Sequence, residues 1–343
     1  MNFRSRKEPH RMNELRDKNR LVWILGGTGF VGSPLVDRLL ADPTNRLHML
    51  VHNYLPYRKL EQVKLFRGNL ENFDLNWFRL YPPDVIFHVA RLGGRRPLGR
   101  YMASQRGRLA NRRMIRYLSA AERPPVIVYV SGSLMYGNQA EGTVAFESAP
   151  LAPLAFARHY YRAEEPWIRE ASEAGIPVKM VRPGWIMGTG SWFRTFYWNH
   201  YISTGRIPVY GAGNQMMSFI HVEDLAGMIS KAPGMEPGIL NLFTGAPVSQ
   251  AGFTSRLASI LQVTRESISL TAVKRKFGKV AAEALGSSIP LGTRYPELWE
   301  RSDLRFPDLD SMLNHTVGLL KSEQCILAET PEWSPVKPSV CLP

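Results

Sequence analysis

The feature that most constrains this chain is a glycine-rich turn near its N-terminus. Gly26, Gly29 and Gly32 have the spacing G-x-x-G-x-x-G, between an apolar run at residues 21–25 and an amphipathic segment at residues 30–40. The first glycine allows a sharp turn off a strand, the second lets a pyrophosphate approach the backbone, and the third lets a helix pack closely on a sheet. The amides and dipole of that helix would face the phosphates. The pattern predicts a dinucleotide-binding βα turn; the alternative is merely a tight turn.

Short apolar runs alternate with longer amphipathic segments along most of the sequence. The predicted strands are residues 21–25, 47–51, 63–66, 84–90, 126–130, 178–181 and 238–243. The predicted helices are residues 30–40, 102–121, 154–174 (kinked at Pro166), 223–230 and 250–261. Strands separated by helices indicate βαβ units and a parallel sheet covered on both faces. We therefore predict an α/β fold, a Rossmann-type doubly wound parallel sheet with a small C-terminal substrate lobe.

The texture of the sequence changes near residue 190 and suggests the domain organisation. Residues 1–20 are polar and basic and predict a flexible tail. Residues 21–190 predict an NAD(P)-binding Rossmann domain, to which residues 215–245 also contribute. Residues 191–343 predict a substrate lobe and a C-terminal tail, which is proline-rich and irregular from about residue 286.

Charge and cysteine content narrow the class of protein. The chain has 43 basic and 29 acidic residues, a formal net charge of +14. This excess favours acidic partners such as nucleotides, phosphorylated metabolites, nucleic acid or an anionic membrane, or is simply a well-solvated surface. Two cysteines, Cys325 and Cys341, exclude a disulfide scaffold and a cysteine-rich zinc module. The sequence has neither a secretory signal nor an apolar run long enough to span a membrane, so we predict a cytoplasmic protein. We also predict no metal site.

Five further segments resemble those of a known family, in the same order. They are Gly68-Asn69-Leu70, His88-Val89-Ala90-Arg91, Ser131-Gly132-Ser133-Leu134-Met135-Tyr136-Gly137, Arg182-Pro183-Gly184 and the run from Phe219 to Ala226. With the glycine turn, they make residues 20–262 similar to the extended short-chain dehydrogenases/reductases, the NAD-dependent epimerase/dehydratase group. The resemblance implies a Rossmann domain, hydride transfer, and dimerisation through the helices at residues 102–121 and 154–174.

The resemblance also implies a catalytic Tyr with a Lys four residues later on the same helix face. In that family the lysine holds the nicotinamide ribose and lowers the tyrosine pKa, since a phenol with a pKa near ~10 is a poor base at pH 7. This chain departs from the pattern: when Glu164 is aligned with the family's glutamate, Phe156 takes the Tyr place and Tyr160 the Lys place. A phenyl ring transfers no proton, so we predict an atypical active site. The candidate catalytic residues are Ser131, Ser133, Tyr136 and Tyr160; simple helix packing is the alternative for Tyr160.

The glycine turn, the residues after the second strand and the segments that resemble the family together give the predicted cofactor-binding residues. They are Gly26, Gly27, Thr28, Gly29, Phe30, Val31, Gly32, His52, Asn53, Arg58, Asn69, Leu70, Val89, Ala90, Arg91, Tyr160, Arg182, Pro183 and Gly184. A free ribose 2′-hydroxyl is usually met by a carboxylate after the second strand. This sequence has Val51-His52-Asn53 there, followed by Arg58 and Lys59, which favours NADP over NAD. The alternative is that both cations face solvent.

Other segments bear on substrate and partners. Family members that act on nucleotide sugars have an Arg just before the Phe-Ile-His-Val stretch, whereas Gln215–Ser218 carries no charge. We therefore predict a small, weakly charged substrate. The aromatic cluster at residues 192–201 suits an apolar pocket, a dimer contact or a buried core. Residues 272–285 form one basic amphipathic pattern, suited to a membrane surface, a partner helix or docking on the protein itself. The arginines at residues 102–121 have no aromatic platform beside them, so we predict no specific nucleic-acid binding.

Together these features predict an NAD(P)-binding protein that is an atypical oxidoreductase or epimerase-like enzyme on a non-nucleotide-sugar substrate. The alternative is a catalytically silent NAD(P)-binding sensor or scaffold.

Overall fold

The computed structural model of the protein describes residues 19–52, 60–94, 97–236, 238–297 and 304–329. Within these ranges the strands are β1 Arg20–Leu25, β2 Asn45–Val51, β3 Val63–Arg67, β4 Val85–His88, β5 Val126–Val130, β6 Val178–Pro183, β7 Trp185–Met187, β8 Ile207–Tyr210, β9 Met216–His221, β10 Gly238–Leu242, β11 Thr244–Ser249 and β12 Arg265–Ile268. The α-helices are α1 Gly32–Leu40, α2 Asn76–Leu80, α3 Pro97–Leu118, α4 Arg158–Ile168, α5 Glu170–Glu173, α6 Asn199–Thr204, α7 Val222–Lys231, α8 Gln250–Leu261, α9 Leu270–Phe277, α10 Lys279–Leu285 and α11 Leu309–Glu329.

The central sheet confirms the predicted fold class. It is parallel and has seven strands, in the order β10-β6-β5-β4-β1-β2-β3. Strand β1 pairs with β2 on one side and with β4 on the other, so the strand order reverses there. In open α/β sheets, ligands bind at the carboxyl ends of the strands beside such a reversal. The glycine turn follows β1 and therefore stands at this point.

The described chain divides into two compact units, drawn from residues 19–129, 163–179 and 229–238, and from residues 130–162, 180–228 and 239–329. In the first unit, the last four residues of β1 are wholly buried, as a strand covered on both faces requires. Trp23 packs against Phe66, Phe73 and Phe78 at ring distances of 4.5–5.5 Å.

The second unit has its own core and two small sheets, β11-β9-β7 and β12-β8. The aromatic cluster predicted at residues 192–201 supplies much of this core. Trp192, Phe193, Phe196 and Tyr197 are at most 2 % exposed, and Phe253 of α8 packs among them. Of the three interpretations of that cluster, the structure therefore supports the buried core.

Three predictions of local structure need correction. The basic pattern at residues 272–285 is two helices rather than one, because Gly278 lies between them with a φ of +93°, which ends α9. The tail beyond residue 286 is not wholly irregular. It contains α11, in which Leu309, Met312, Leu313, Val317 and Leu320 form one buried face.

The third correction concerns residues 154–174, where two helices replace the predicted kinked one. Helix α4 ends two residues after Pro166, and α5 follows. Pro166 lies inside α4 and has no N–H to donate to the carbonyl four residues earlier, so it interrupts the hydrogen bonding of that helix.

Among the described residues, no helix combines the length and the apolar character needed to cross a bilayer.

Candidate functional site

The glycine turn has the backbone geometry that its spacing predicts. Gly26 has a φ of +94°, and a Cβ there would lie 2.7 Å from the backbone nitrogen of Ala90. A Cβ on Gly32 would lie 2.1 Å from the carbonyl oxygen of Gly26. Both positions exclude any side chain because the backbone itself fills the space. Gly26 therefore packs against the residues that follow β4, and Gly32 holds the first turn of α1 against Gly26.

Gly29 differs from the other two. Its N–H donates to the carbonyl of Gly26 at 3.0 Å, and its carbonyl accepts from Ser33 N–H at 2.9 Å. A Cβ added to it would meet only the Gly26 oxygen, at 3.3 Å, within 4 Å. Helix α1 starts three residues later. Its N-cap residue, Val31, forms no side-chain cap, and the first turn has no acidic residue. A residue without a side chain therefore precedes a helix N-terminus that no side chain caps, and this arrangement suits the binding of a diphosphate.

The end of β4 lies directly beside this turn. Val89 N–H donates to the carbonyl of Leu25 at 2.9 Å, and Ala90 faces Gly26. His88 is buried, with its Nε2 3.0 Å from Oδ1 of Asn111. Burial lowers the pKa of His88 to about 4, so its ring is neutral near pH 7. Val89 and Ala90 therefore lie against the glycine turn, and Arg91 follows them as an exposed residue.

The residues predicted near the adenosine follow β2 and β3. His52 is exposed just after β2. Oδ1 of Asn69 accepts from the N–H groups of Glu71 and Asn72 at 2.8 and 3.1 Å, and Leu70 is buried. Asn69 therefore shapes its own loop. Asn53 and Arg58, on which the NADP preference depends, lie outside the described residues.

Ser131, Ser133 and Tyr136 follow β5 in the second unit. Ser131 N–H donates to the carbonyl of Val181 at 2.8 Å. Ser133 is buried and begins a short 3₁₀ turn. Its backbone carbonyl accepts a hydrogen bond from Tyr136 N–H at 3.0 Å. The Tyr136 side chain is 1 % exposed and donates to Oδ1 of Asn241 at 2.6 Å. Its hydroxyl is therefore engaged inside the protein.

The Arg-Pro-Gly segment packs against the same tyrosine. Arg182 is wholly buried, with its guanidinium 5.0 Å from the centre of the Tyr136 ring. Burial raises the pKa of Tyr136 overall, although the Arg182 charge acts to lower it. At Gly184 a Cβ would lie 2.3 Å from the carbonyl oxygen of Ser218, so only glycine fits there. Pro183 between them is buried at the end of β6.

Phe156 and Tyr160, predicted from the sequence to replace the family's Tyr and Lys, are neighbours in the second unit. The Phe156 ring is 5 % exposed and belongs to the hydrophobic core. Tyr160 is half-buried, packs on that core and meets Phe156 edge-to-face at 6.2 Å between ring centres. Tyr161 packs on the core as well. The phenyl ring of Phe156 is therefore packed in the core, and it has no group that could transfer a proton.

Two residues that were not predicted from the sequence organise this region. Asn241 receives the Tyr136 hydroxyl, and Asn111 contacts His88 and also donates to the carbonyl of Ala163 at 2.7 Å. Asn241 interrupts the apolar strand β10, and a buried polar group in such a run must find partners. That mismatch was the available signal.

Two further observations concern substrate and nucleic acid. Gln215, which stands in the uncharged run before β9, is buried, and its Nε2 donates to the carbonyls of Tyr210 and Leu285 at 3.0 and 2.8 Å.

On α3, ion pairs join Arg106 to Glu71, Arg108 to Glu165 and Arg112 to Glu170. These arginines therefore make intramolecular contacts.

Comparisons with known proteins agree with the fold and its motifs. The model of the NAD dependent epimerase/dehydratase family matches residues 22–241, more than half of the chain. An "Epimerase family protein SDR39U1 homolog, chloroplastic" from Arabidopsis thaliana is 25% identical over 262 residues, covering 72% of each protein. A non-canonical nonribosomal peptide synthetase, FrzA, of a Cladobotryum species is 28% identical over 209 residues, which is 50% of this chain and 20% of the synthetase. The chain thus spans about a fifth of that synthetase.

Solved structures share the fold at low sequence identity. The human epimerase family protein SDR39U1 (isoform 2) with NADPH has a TM-score of 0.67 and 18% identity, covering 87% of this chain and 99% of that one. A dTDP-glucose 4,6-dehydratase from Bacillus anthracis in complex with NAD has a TM-score of 0.70 and 16% identity, covering 89% and 97%. The family match, the parallel sheet and the glycine turn lead to one conclusion: this chain belongs to the NAD dependent epimerase/dehydratase family.

Proposed function

We propose that the protein binds a nicotinamide dinucleotide at the glycine turn and is an atypical oxidoreductase or epimerase-like enzyme. The observation that carries the proposal is Gly29, which has no side chain and lies three residues before an uncapped helix N-terminus. A diphosphate fits there because no side chain intrudes and amide groups favour negative charge. The related structures that hold NAD or NADPH support the same cofactor class.

The residues predicted to hold the cofactor divide by role. Residues 26–32 would bind the diphosphate, and Asn69 and Leu70 would contact the adenine. Val89 and Ala90, which follow β4, would lie beside the cofactor. Tyr160 would hydrogen-bond the nicotinamide ribose in place of a lysine. When bound, the nicotinamide would accept or donate a hydride.

The proton-handling group must come from the remaining candidates. Ser131, Ser133, Tyr136 and Tyr160 stay predictions in this role. Burial raises the pKa of Tyr136 and its hydroxyl donates to Asn241, so less of it is deprotonated near pH 7 and available to accept a proton than in a tyrosine whose pKa is lowered.

We further propose a substrate less charged than a nucleotide sugar. The run Gln215–Ser218 has no cation to meet a diphosphate, and Gln215 itself is engaged with backbone carbonyls. The cytoplasmic location and the preference for NADP stay predictions from the sequence.

The test is dinucleotide-dependent thermal stabilisation of the wild-type protein and of Gly29→Ala. A ligand at about 100 times its Kd stabilises the folded state by about 2.7 kcal/mol. We expect NAD or NADP to raise the melting temperature of the wild type, and Gly29→Ala to fold normally but lose that shift. The matched control is Gly318→Ala in α11, where an added Cβ meets nothing within 4 Å. A wild type that responds to neither dinucleotide would refute the proposal.

A second candidate function is a catalytically silent sensor or scaffold that binds the same cofactor. The core packing of Phe156 favours it, because this position carries no group that transfers a proton. The two functions differ in one measurement, substrate-dependent hydride exchange at the nicotinamide across a panel of carbonyl compounds and alcohols. Exchange identifies the enzyme, and cofactor binding without exchange identifies the sensor.

A further inference from the structure

The second unit contains a cavity of about 370 Å³ beside α9. Tyr210 of β8, Ile268 of β12, and Val273 and Phe277 of α9 form its apolar wall. None of them belongs to the predicted cofactor or catalytic sets. Ligand pockets are commonly about 300–1,000 Å³ and lined mainly by apolar and aromatic groups. The cavity therefore has the size and lining of a small-molecule site.

The local sequence holds this wall in place. Ser269 caps the start of α9, and Gly278 ends the helix directly after Phe277. The Phe277 ring meets Phe196 edge-to-face at 5.2 Å, and the Tyr210 hydroxyl donates to the carbonyl of Phe196 at 2.5 Å. The wholly buried Tyr210 is thus fixed in the wall of the cavity by the bond that its hydroxyl makes to Phe196.

The cavity is lined by two cations, Arg275 and Lys276. Arg275 and Lys276 line it and are exposed, which places them on its solvent side. The Lys276 ammonium lies 5.2 Å from the centre of the Phe277 ring. No Asp or Glu is among the described lining residues. The carboxylate of Glu266, which does not line the cavity, is hydrogen-bonded to Nε2 of the lining residue His200.

We infer that this cavity binds an organic anion with an aromatic or branched apolar body. The apolar wall would take the body, and the two cations at the opening would meet a carboxylate, sulfonate or similar group. A purely apolar ligand would leave the cations without a role, and a cationic ligand would be repelled by them. The inference is independent of the proposed function at the glycine turn.

The experiment uses two fluorescent probes that share a ring system, anionic anilinonaphthalene sulfonate and uncharged phenylnaphthylamine, with the full chain. We expect the anion to bind the wild type more tightly than the neutral probe. The double variant Arg275→Ala/Lys276→Ala should weaken anion binding about fivefold or more, as expected for two partly exposed ionic contacts. The control Lys274→Ala/Lys279→Ala removes the same charge from nearby exposed residues that do not line the cavity. It should change the affinity less than about twofold.

A second pair of variants tests whether the probe enters the cavity. Ala272 lines it, so Ala272→Trp should abolish binding, whereas Thr271→Trp on the exposed neighbouring position should not. Equal losses in the two double variants would overturn the inference, because they would indicate a general effect of charge. Undiminished binding to Ala272→Trp, or no binding to the wild type, would also overturn it. Dinucleotide-dependent stabilisation should be unchanged in all four variants, which separates this site from the glycine turn.

Discussion

The hydroxyl of Tyr136 and the side-chain oxygen of Asn241 are 2.6 Å apart, and the tyrosine donates. Asn241 in turn donates from Nδ2 to the carbonyls of Ala145 and Gly292 at 2.9 and 2.8 Å. Its backbone N–H donates to Oε1 of the buried Glu147 at 3.2 Å. The Tyr-Gly segment that the family resemblance singles out is therefore anchored by a buried polar network.

Replacing Tyr136 by Phe should destabilise the protein through this network. The change leaves a buried acceptor on Asn241 without its donor, which costs about 1–3 kcal/mol. We expect that loss in the free energy of unfolding, measured in urea. Tyr117→Phe, at a half-buried position on α3, is the control and should change it by less than about 0.5 kcal/mol. Equal stabilities for the two variants would refute a structural role for the Tyr136 hydroxyl.

Tyr160 and its neighbour offer a direct test of the replaced lysine. If the Tyr160 hydroxyl meets the nicotinamide ribose, Tyr160→Phe should weaken dinucleotide binding about fivefold, the value of one neutral hydrogen bond. Tyr161→Phe alters an adjacent ring that also packs on the core, and should leave the Kd unchanged. Calorimetric titration measures both. Identical affinities for the wild type and both variants would assign Tyr160 to packing alone.

The preference for NADP depends on Arg58. A guanidinium near the ribose should bind the 2′-phosphate, so NADPH should bind more tightly than NADH. Arg58→Ala should weaken NADPH binding about tenfold and leave NADH binding nearly unaltered. Arg79→Ala, an exposed position on α2, controls for the lost charge. Tighter binding of NADH by the wild type would contradict the prediction.

Helix α3 carries an apolar stripe suited to the predicted homodimer. Leu98, Met102 and Leu109 are 72 %, 52 % and 61 % exposed and recur at helical spacing on one face. Leu98→Glu/Leu109→Glu should convert a dimer to a monomer in light scattering after gel filtration. The control Leu80→Glu/Ile202→Glu replaces two exposed apolar residues of similar size on other helices, and this variant should stay dimeric. A monomeric wild type would disprove this interface.

His88 should make stability fall on acidification. Burial lowers its pKa to about 4 from the ordinary value of 6.5, so between those values the unfolded chain binds a proton that the folded protein excludes. Its contribution to the free energy of unfolding therefore decreases by up to about 1.4 kcal/mol per pH unit as pH falls through this window. The pKa values of His48 and His221 are also lowered by burial, so they act in the same direction.

The measurement for His88 is the slope of unfolding free energy against pH between 4.5 and 6.5 on the pH scale, which spans this window. His88→Leu should reduce that slope by about one proton. His52→Leu, at an exposed position, should not. Because the slope is compared rather than the absolute stability, a general loss of stability in His88→Leu does not confuse the result. Parallel slopes for the wild type and His88→Leu would contradict the prediction.

The sequence by itself determined the parallel α/β fold and the position of the glycine turn. Strand alternation and glycine spacing are local signals: only glycine fits at Gly26 and Gly32, where the backbone occupies the space of a Cβ. The absence of the Tyr-x-x-x-Lys pair was also readable, since it depends on residue identity alone. Helix α11 was missed although its apolar spacing was present, because the prolines around it suggested an irregular tail.

Only the tertiary structure decided which polar groups are engaged inside the protein. The partner of Tyr136 is 105 positions away along the chain, and no spacing rule connects Tyr136 to Asn241. The same holds for the cavity beside α9, whose wall joins residues of β8, β12 and α9. Long-range packing sets these contacts, so a residue's chemistry can be read from the sequence while its partners require the fold.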